Sequence, residues 1–386
     1  MASGTANGTG TASGEAGWFD WVDGPLVTLC LGSLAAVVAG GLVQVSFGTF
    51  SMTIVDAWQA VFNPAVLFDR RVWESFLLGS ELPEMNKRSL IVWSIRLPRV
   101  LVGVLVGMNL AVSGAIFQAV TRNELASPFI LGVSSGAGLT ILLTLVVFSG
   151  ATLVIPLVVG TLVLGIGSLL PIVAAVGGIV AFLIVYAIAW KNGTSPVRLV
   201  LAGVIVSTIF GSLQTGLFFF ADSIGVVQSA IAWTTGSLTG TDWEQVRMAL
   251  PWTVLSLGLA LVSARQLNVL LLGESTAKSL GMDVEKVRFA LSGVAVLAAA
   301  ASIAVAGIVG FVGLIVPHMV RNIVGSDYKQ LVVGCLFAGP ALMVVADVGA
   351  RLALNPVQIP VGIVTGLVGG PYFLYLMRRQ ERLGEI

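Results

Sequence analysis

Hydrophobic residues fill most of the chain in long blocks that short polar connections separate. A helix crosses the hydrocarbon core of a bilayer in about 20 apolar residues, which is the length of these blocks. A membrane barrel would instead show short segments of alternating hydrophobicity. The pattern therefore predicts an all-α, polytopic membrane protein. We place ten spans at residues 25–50, 97–119, 127–148, 165–190, 196–220, 247–264, 287–306, 308–324, 331–350 and 358–377.

Two uncharged stretches leave the count open. Residues 149–190 can hold two spans, or one span preceded by a re-entrant or extended outer segment, with Gly165, Gly167 and Pro171 as breakers. Residues 289–317, with their flanks, are long enough for two spans. We expect the break between these two spans at Gly307.

The ends and loops divide the chain into regions. Residues 1–24 are predicted to be a disordered tail, because residues 1–17 are almost all small or polar and lack the basic start of a signal peptide. The transmembrane domain covers 25–380, with an outer loop at 51–95 and an inner segment at 267–288, and a short tail covers 381–386. Basic residues concentrate in the loops that lie inside when both termini are inside. Short outer loops then keep only Arg247 and Arg351.

Composition narrows the function. The chain is 56% hydrophobic and 10% charged, with a mean hydropathy of +0.99, whereas soluble domains carry about 25% charged residues. A soluble domain, a disordered protein and a nucleic-acid binder are thereby excluded. The net charge is +1, which gives no argument for an acidic partner. We expect a multi-pass protein of the cytoplasmic membrane, in contact with lipid.

Several kinds of chemistry are missing from the sequence. Cys30 and Cys335 lie in apolar runs and read as core residues, and His318 is the single histidine. None of the five lysines follows a glycine, so no Walker-type phosphate loop exists here. We predict no catalytic residue, no cofactor and no metal site. If ATP drives this protein, another polypeptide binds it.

One motif imitates an enzyme. Residues 132–136 match the G-x-S-x-G pattern of serine hydrolases, and Ser134 could pair with His318 in an intramembrane protease. The hydrolase motif requires a strand-to-helix turn, whereas this one lies in an apolar helix. Small residues four apart also let membrane helices pack closely, as at Gly103 and Gly107. Packing is the favoured interpretation.

Outer arginines form a second candidate site. Arg96 and Arg99 open the second span and lie on one helix face, and Arg351 closes the ninth. The simplest interpretation is snorkelling at the interface. Asp347 lies one turn before Arg351, and we expect these two to form an intrahelical pair. The alternative is that the arginines receive carboxylates of a soluble partner.

The inner segment between the sixth and seventh spans predicts a short amphipathic helix. Glu274 can face Lys278 across one turn, and Gly281 can end the helix. Such a helix suits docking into a groove of a cytoplasmic protein. An ordinary solvated loop is the alternative.

Beyond these patterns, residues 92–380 resemble the permease subunits of type II ATP-binding cassette (ABC) importers, which handle iron–siderophores, haem and vitamin B12. The resemblance rests on motifs that occur in the family's order: RLPR at 96–99, SGAIFQ at 113–118, NELASP at 123–128, LGVSSG at 131–136, RLVLAG at 198–203, LLGE at 271–274, GFVGLIVPH at 310–318, AD at 346–347, AR at 350–351 and IPVGI at 359–363.

The resemblance implies roles for particular residues. Arg96, Arg99 and Arg351 resemble the outward pocket for acidic residues of a substrate-binding protein. The segment 273–285 resembles the coupling helices that enter an ATPase cleft, with Gly273, Glu274, Ala277, Lys278 and Gly281 as its residues. Asn123 and Leu125 resemble an inner gate. The turn Ser195, Pro196 and Val197 is at the second gate position, although Pro196-Val197 replaces the small hydroxyl pair expected there. The insertion at 67–90 and an extended stretch at 149–168 also depart from the family.

The implied machine is a homodimer with a path between its subunits, two ATP-binding subunits inside and a substrate-binding protein outside. It would import a metal chelate: cobalamin, a ferric siderophore or haem. A secondary transporter is the alternative, and it would need an intramembrane ion site, for which Asp347 is the one candidate. An intramembrane serine protease comes third.

Overall fold

Long apolar helices make up most of the molecule. The computed structural model describes residues 21–47, 52–80, 82–148, 152–157, 160–191, 193–221, 224–354 and 357–383, so most of the predicted N-terminal tail lies outside the described residues. In chain order the helices are α1 (Gly24–Ser46), α2 (Ile54–Val61), α3 (Pro64–Leu67), α4 (Arg70–Leu78), α5 (Lys87–Ile91), α6 (Leu97–Thr121), α7 (Val133–Val147), α8 (Ile166–Ala189), α9 (Pro196–Phe218), α10 (Ile224–Thr235), α11 (Trp243–Val262), α12 (Ala264–Leu271), α13 (Glu274–Ser279), α14 (Val284–Ala306), α15 (Val312–Val324), α16 (Tyr328–Leu352) and α17 (Val361–Leu383).

Ten of these helices correspond to the ten predicted spans. Seven are long and apolar enough to cross a bilayer: α1, α6 with the turns before it, α8, α9, α11, α14 and α16. Three shorter apolar helices, α7, α15 and the apolar part of α17, complete the set. The predicted polytopic all-α fold is confirmed. Helix α17 continues to Leu383, into the region 381–386 that was predicted as a tail.

Over its described residues, the uncharged stretch 149–190 holds one spanning helix, α8, and not two. Its first part is an antiparallel hairpin of β1 (Thr152–Leu157) and β2 (Gly160–Gly165), in which Thr152 pairs with Gly165. The structure thus has the extended segment that was one of the two sequence alternatives. Pro171 does not break α8. The other ambiguous stretch divides at Gly307, as predicted, where a positive φ of 69° ends α14.

Glycine contacts bring helix backbones together around α6. A Cβ placed on Gly114 would lie 1.7 Å from the carbonyl oxygen of Gly313 in α15. A Cβ on Gly107 would lie 2.5 Å from the carbonyl oxygen of Gly339 in α16. Neither position has room for a side chain. Helices α6 and α14 form the centre of the bundle. In the apolar 18-residue stretch of α14, 72% of the residues are buried.

The predicted outer loop at 51–95 folds into α2 to α5. Trp93 lies in a π-helical turn (Val92–Arg96) just before α6, and its indole donates to the carbonyl of Ala60 over 2.9 Å. The Phe76 ring stacks on Trp243 at 4.6 Å between centroids. Arg247 donates to the carbonyl of Phe76 over 2.8 Å. These contacts fix the insertion to the predicted outer end of α11.

Sequence reasoning missed α10, which lies in the connection between the fifth and sixth spans. Its C-terminal end meets the break between α14 and α15: Ile308 donates its backbone N–H to Trp233 over 2.9 Å, and Ser237 donates to Ala306 over 2.8 Å. A second short helical turn, Pro128–Leu131, precedes α7. Neither segment is long enough to stand out by periodicity in so apolar a sequence.

Candidate functional site

A buried ion pair lies at the predicted outer end of the bundle. Arg99 of α6 holds Asp347 of α16 through two bonds, from Nε over 2.9 Å and from Nη2 over 2.8 Å. Asp347 is 0% exposed, and Gln44 of α1 also donates to it. The remaining terminal nitrogen of Arg99 donates to Gln358 over 2.8 Å. One carboxylate therefore joins α1, α6 and α16.

This geometry corrects the expected pairing of Asp347. Its ion pair is with Arg99, 248 residues away in sequence, and not with Arg351 on its own helix. Arg351 instead donates to the carbonyls of Gln44 over 2.9 Å and Phe47 over 2.8 Å. Helical spacing identifies neighbours on one helix, but the ion-pair partner of Asp347 lies on another helix, α6.

Arg96 and Arg351 both bind the C-terminal end of α1. Arg96 is buried and donates to the carbonyls of Val45 and Ser46. Arg351 is half-buried and donates to the carbonyls of Gln44 and Phe47. The last carbonyls of a helix lack partners within the helix and carry partial negative charge, so cations stabilise them. Arg96 and Arg99 are thus buried in protein, which overturns the interpretation of them as interfacial snorkelling residues. Of the three, Arg351 is the most accessible.

The inner segment forms two short helices, α12 and α13, where its sequence pattern predicted one. Gly273, with a φ of 107°, separates them, and Gly281, with a φ of 81°, follows the end of α13. The N–H of Met282 bonds to the carbonyl of Ala277 over 3.0 Å, which closes the end of α13. Ala277 is buried and Lys278 is exposed. The helix therefore has one face against the protein and one face open.

Glu274 has a different partner from the one its spacing suggested. Its Oε1 lies 2.5 Å from Nη2 of Arg288 in α14, and no ion pair joins it to Lys278 in the part of the chain that the structure describes. Burial alone would raise the pKa of Glu274. The hydrogen bond and charge of Arg288, with smaller contributions from Arg122 and Lys278, outweigh burial and lower that pKa below its usual value.

Arg288 was identified from sequence only as one more inner charge. Its side chain is 1% exposed, and besides Glu274 it contacts the carbonyl of Thr194 and Oε1 of Glu285, the latter at 3.3 Å. The other oxygen of Glu285 accepts from Thr194 through its N–H at 2.9 Å and its hydroxyl at 2.8 Å. A cation buried at the start of an apolar helix requires such partners. The position of Arg288 directly before the uncharged stretch 289–317 was the sequence signal that could have identified it.

The two predicted gate turns both lie against this inner segment. At the first, the side chain of Asn123 accepts from the N–H of Leu125 over 2.9 Å, and both residues are exposed. Arg122, one residue before, donates to the carbonyl of Leu270 at the end of α12 over 3.1 Å. A positive φ of 49° at Arg122 turns the chain out of α6 at this point.

At the second turn, Ser195 caps α9 by accepting from the N–H of Arg198 over 3.2 Å, and Pro196 occupies the first helical position. Proline suits that position because its missing N–H has no helical partner to lose. Val197 is 76% exposed. The departure from the family pattern therefore builds a well-capped helix start with an apolar residue facing outward.

The single histidine joins a third cluster, which sequence reasoning did not identify. His318 Nδ1 lies 3.7 Å from Oε2 of Glu124, and Arg321 lies 3.5 Å from the other oxygen. The imidazole of His318 is the largest influence that lowers the pKa of the Glu124 carboxyl, and with the charge of Arg321 it outweighs burial and holds that pKa below its usual value. His318 thus contacts a carboxylate beside the first gate turn. No hydrogen bond joins it to Ser134 among the described residues.

The G-x-S-x-G motif lies in a close helix contact. A Cβ on Gly136 would come within 2.4 Å of the carbonyl oxygen of Gly177 in α8. The packing interpretation of this motif accounts for that contact. Over the described residues, no group of three or more His, Cys, Asp or Glu side chains could hold a metal ion.

One spanning helix presents polar groups on its exposed face. On α9, Thr208, Ser212 and Thr215 are exposed, and each hydroxyl donates to the carbonyl four residues earlier. Only 22% of the residues in the apolar 18-residue stretch of α9 are buried within the chain. Large apolar residues of α9, among them Leu201, Ile205 and Leu213, are exposed as well, so the helix presents hydroxyls beside apolar side chains.

Known proteins match the chain over nearly all its length. The model of the FecCD transport family matches residues 36–379. The Fe(3+)-citrate import system permease protein YfmD of Bacillus subtilis is 36% identical over 351 residues, which are 91% of this chain and 94% of that protein. The cobalamin import system permease protein BtuC of Halobacterium salinarum is 42% identical over 292 residues, 75% of this chain and 74% of that protein. A solved metal-chelate type ABC transporter in an inward-facing conformation aligns with a TM-score of 0.74 at 25% identity, covering 92% of this chain and 99% of that one.

Proposed function

This chain belongs to the FecCD transport family, and from that premise we propose that it carries a metal chelate across the cytoplasmic membrane. The relatives described above are permease subunits of ABC importers. The observation that carries the proposal is the 36% identity to a ferric citrate permease over 351 residues. A cobalamin permease is similar over three quarters of the chain. Both named substrates are metal chelates, and that shared chemistry defines the proposed substrate class.

The path is proposed to run between two copies of this chain, along α9. The exposed hydroxyls of Thr208, Ser212 and Thr215 support this, because they offer a bulky polar chelate weak hydrogen bonds without a charge that would trap it. The homodimer is part of this proposal, since a helix so little buried within one chain is suited to packing against a partner.

The energy is proposed to enter through α12 and α13. Permeases of this family work with ATP-binding subunits and a substrate-binding protein. The open face of α13, with Lys278 exposed and Glu274 partly exposed, fits a groove on an ATP-binding subunit. Gly273 and Gly281 support docking there because their positive φ angles set the directions in which the segment enters and leaves the helix. Asn123, Leu125 and the turn at Ser195, Pro196 and Val197 are proposed as the gates.

The outer arginine cluster is proposed as the docking site of the substrate-binding protein. Arg99 holds the carboxylate of Asp347, whereas the half-buried Arg351 donates to the backbone carbonyls of Gln44 and Phe47, so its charge can attract a carboxylate of the partner. Asp347 and Gln358 already occupy Arg99. Arg351 is therefore the residue that contacts the partner, while Arg96 and Arg99 position α1 and α16 around it.

Uptake in a reconstituted system tests the function. The permease is placed in liposomes with its ATP-binding subunits and substrate-binding protein, and labelled ferric citrate, a ferric hydroxamate, cobalamin and haem are offered in turn. We expect accumulation of one of these chelates that stops without ATP and continues when ionophores abolish ion gradients. Accumulation that needs the gradient and not ATP would support a secondary transporter instead.

A charge reversal tests the docking site. Arg351→Glu should weaken binding of the substrate-binding protein at least tenfold, because one charge-assisted pair is lost and replaced by repulsion. Arg71→Glu is the matched control, since Arg71 is an exposed arginine of the outer insertion away from the cluster. Equal binding by the wild type and Arg351→Glu at physiological salt would contradict the proposed pocket. Arg99→Glu is a poorer probe, because it would leave two carboxylates facing each other in a buried site.

A further inference from the structure

Three pieces of the chain meet at the guanidinium group of Arg288, and one of them lies 94 residues away from it in sequence. One is helix α13, through its first residue, Glu274, at 2.5 Å. Another is the turn before α9, through the carbonyl of Thr194. The third is the start of α14 itself, where Glu285 binds both Arg288 and Thr194. Arg288 is 1% exposed, so in this chain it contacts protein and not an incoming partner.

The contacts of Arg288 link the place where an ATP-binding subunit would dock to the helix that would line the path. Glu274 is on the docking side, and its side chain is 36% exposed. Thr194 directly precedes Ser195, the capping residue of α9. A displacement of α13 must therefore either move the start of α9 or break the bonds of Arg288. Because α9 is one of the least buried spanning helices, the rest of the bundle holds it in place less firmly than α6 or α14.

We propose that Arg288 is a positioning residue for transport: it binds the coupling segment to the turn before α9, so that both move together when ATP-binding subunits act. The inference rests on the proposed function and names the part of the chain through which that function is transmitted. Arginine suits the role because its planar fork spans several acceptors in a fixed geometry, whereas lysine offers one compact charge without that fork and holds Glu274 and Thr194 together less well.

Arg198 provides a matched control in the same turn. It donates to Ser195 over 3.2 Å and to the carbonyls of Lys191 and Gly193 over 3.2 and 2.8 Å. All these partners lie in the α8–α9 connection, and none lies in the coupling segment. Arg198→Lys therefore loosens the turn itself, while Arg288→Lys loosens its link to α13.

The test is hydrogen–deuterium exchange on the permease bound to its ATP-binding subunits in nanodiscs, with and without ATP and vanadate. In the wild type, nucleotide should change exchange in peptides covering 270–285 and also in peptides covering 193–200. In Arg288→Lys the response at 270–285 should persist, while the response at 193–200 should fall at least fivefold. Glu274→Gln should show the same split, and it is the second variant because its side chain is partly exposed and it should fold readily.

Other results would overturn the inference. A full response at 193–200 in Arg288→Lys or in Glu274→Gln would show that motion reaches α9 by another route. An equal loss in Arg198→Lys would show that the integrity of the turn, not its link to α13, carries the response. Absence of any response at 270–285 in the wild type would instead overturn the proposed docking of ATP-binding subunits, so the two failures are distinguishable.

Discussion

Buried arginines organise both ends of this bundle, but the two clusters differ in how their carboxylates are placed. At the outer end, Asp347 is 0% exposed and receives two bonds from Arg99 on a neighbouring helix. At the inner end, Arg288 is buried but Glu274 and Glu285 are 36% and 27% exposed. The outer cluster joins helices to helices, and the inner cluster joins helices to connecting segments.

The difference shows how similar chemistry serves two purposes. An ion pair closed off from water costs much to disturb, because removal of one partner leaves a buried charge. Such a pair suits a fixed frame. A pair with one partner at the surface is weaker and can be reached by another protein. We infer that the outer cluster holds α1, α6 and α16 in register, while the inner cluster can respond to binding.

The largest expected effect comes from removing the outer carboxylate. Asp347→Ala leaves the buried guanidinium of Arg99 without its counter-charge and should cost about 3–5 kcal/mol of the free energy of unfolding. Thermal unfolding in detergent measures it. Combining Asp347→Leu with Arg99→Met should recover most of the loss, because apolar replacement of a whole buried pair is often neutral. A loss below about 1 kcal/mol in Asp347→Ala would remove the distinction between the two ends.

The second prediction tests the frame between the clusters. Helix α6 carries Arg99 near its outer end and ends at Thr121, just before Arg122 on the inner side, and Gly114 lies between them against Gly313. Gly114→Ala should cost about 1–3 kcal/mol, because the added methyl forces α15 away. Gly293→Ala in α14 is the control, since a Cβ there meets nothing within 4 Å. Similar unfolding temperatures for the two variants would contradict the close packing.

The third prediction concerns the inner pair. Glu274→Gln keeps an oxygen for Arg288 but removes the charge, and with over a third of the side chain exposed the solvent already screens the pair. We expect a stability loss of about 1 kcal/mol or less, well below that of Asp347→Ala. The same unfolding measurement gives both values. A loss as large as that of Asp347→Ala would make the inner cluster a second fixed frame.

The smallest effect is a pH dependence near the first gate turn. The nearby imidazole of His318, with the charge of Arg321, lowers the pKa of Glu124 in the folded protein. A lowered carboxyl pKa adds stability above the unfolded value, near 4.5, and this stability is lost as the pH falls through the folded pKa. Because Glu124 is about half exposed, we expect about 0.5 kcal/mol or less. Unfolding of Glu124→Gln between about pH 6 and pH 3, a range that extends well below an unperturbed carboxyl pKa of about 4.3, should lack this part of the dependence. A curve identical to the wild type would contradict it.

Hydrophobic periodicity and end signals located most of the fold. The fifth span, predicted at 196–220, is helix α9 at Pro196–Phe218, with Ser195 and Pro196 as its start. Gly281 and Gly307 end their helices as predicted. These features depend on residues near one another in sequence, where backbone sterics and the thickness of a bilayer decide the outcome.

Short helices escaped prediction because a brief segment carries too little local pattern to identify it. Helix α10 and the insertion helices α2 to α5 are each 12 residues or fewer. Their stability comes from contacts such as Phe76 against Trp243, which join the insertion to α11. A local pattern of that length cannot be separated from its apolar surroundings.

The sequence by itself determined that this is an all-helical, polytopic membrane permease, and it located many of the points where helices begin and end. Only the tertiary structure decided which charges pair. Asp347 takes Arg99 over Arg351, and Glu274 takes Arg288 over Lys278. The physical reason is burial. A charge that leaves water needs the partner that is also buried and best aligned, and helix packing brings that partner from a distant part of the chain.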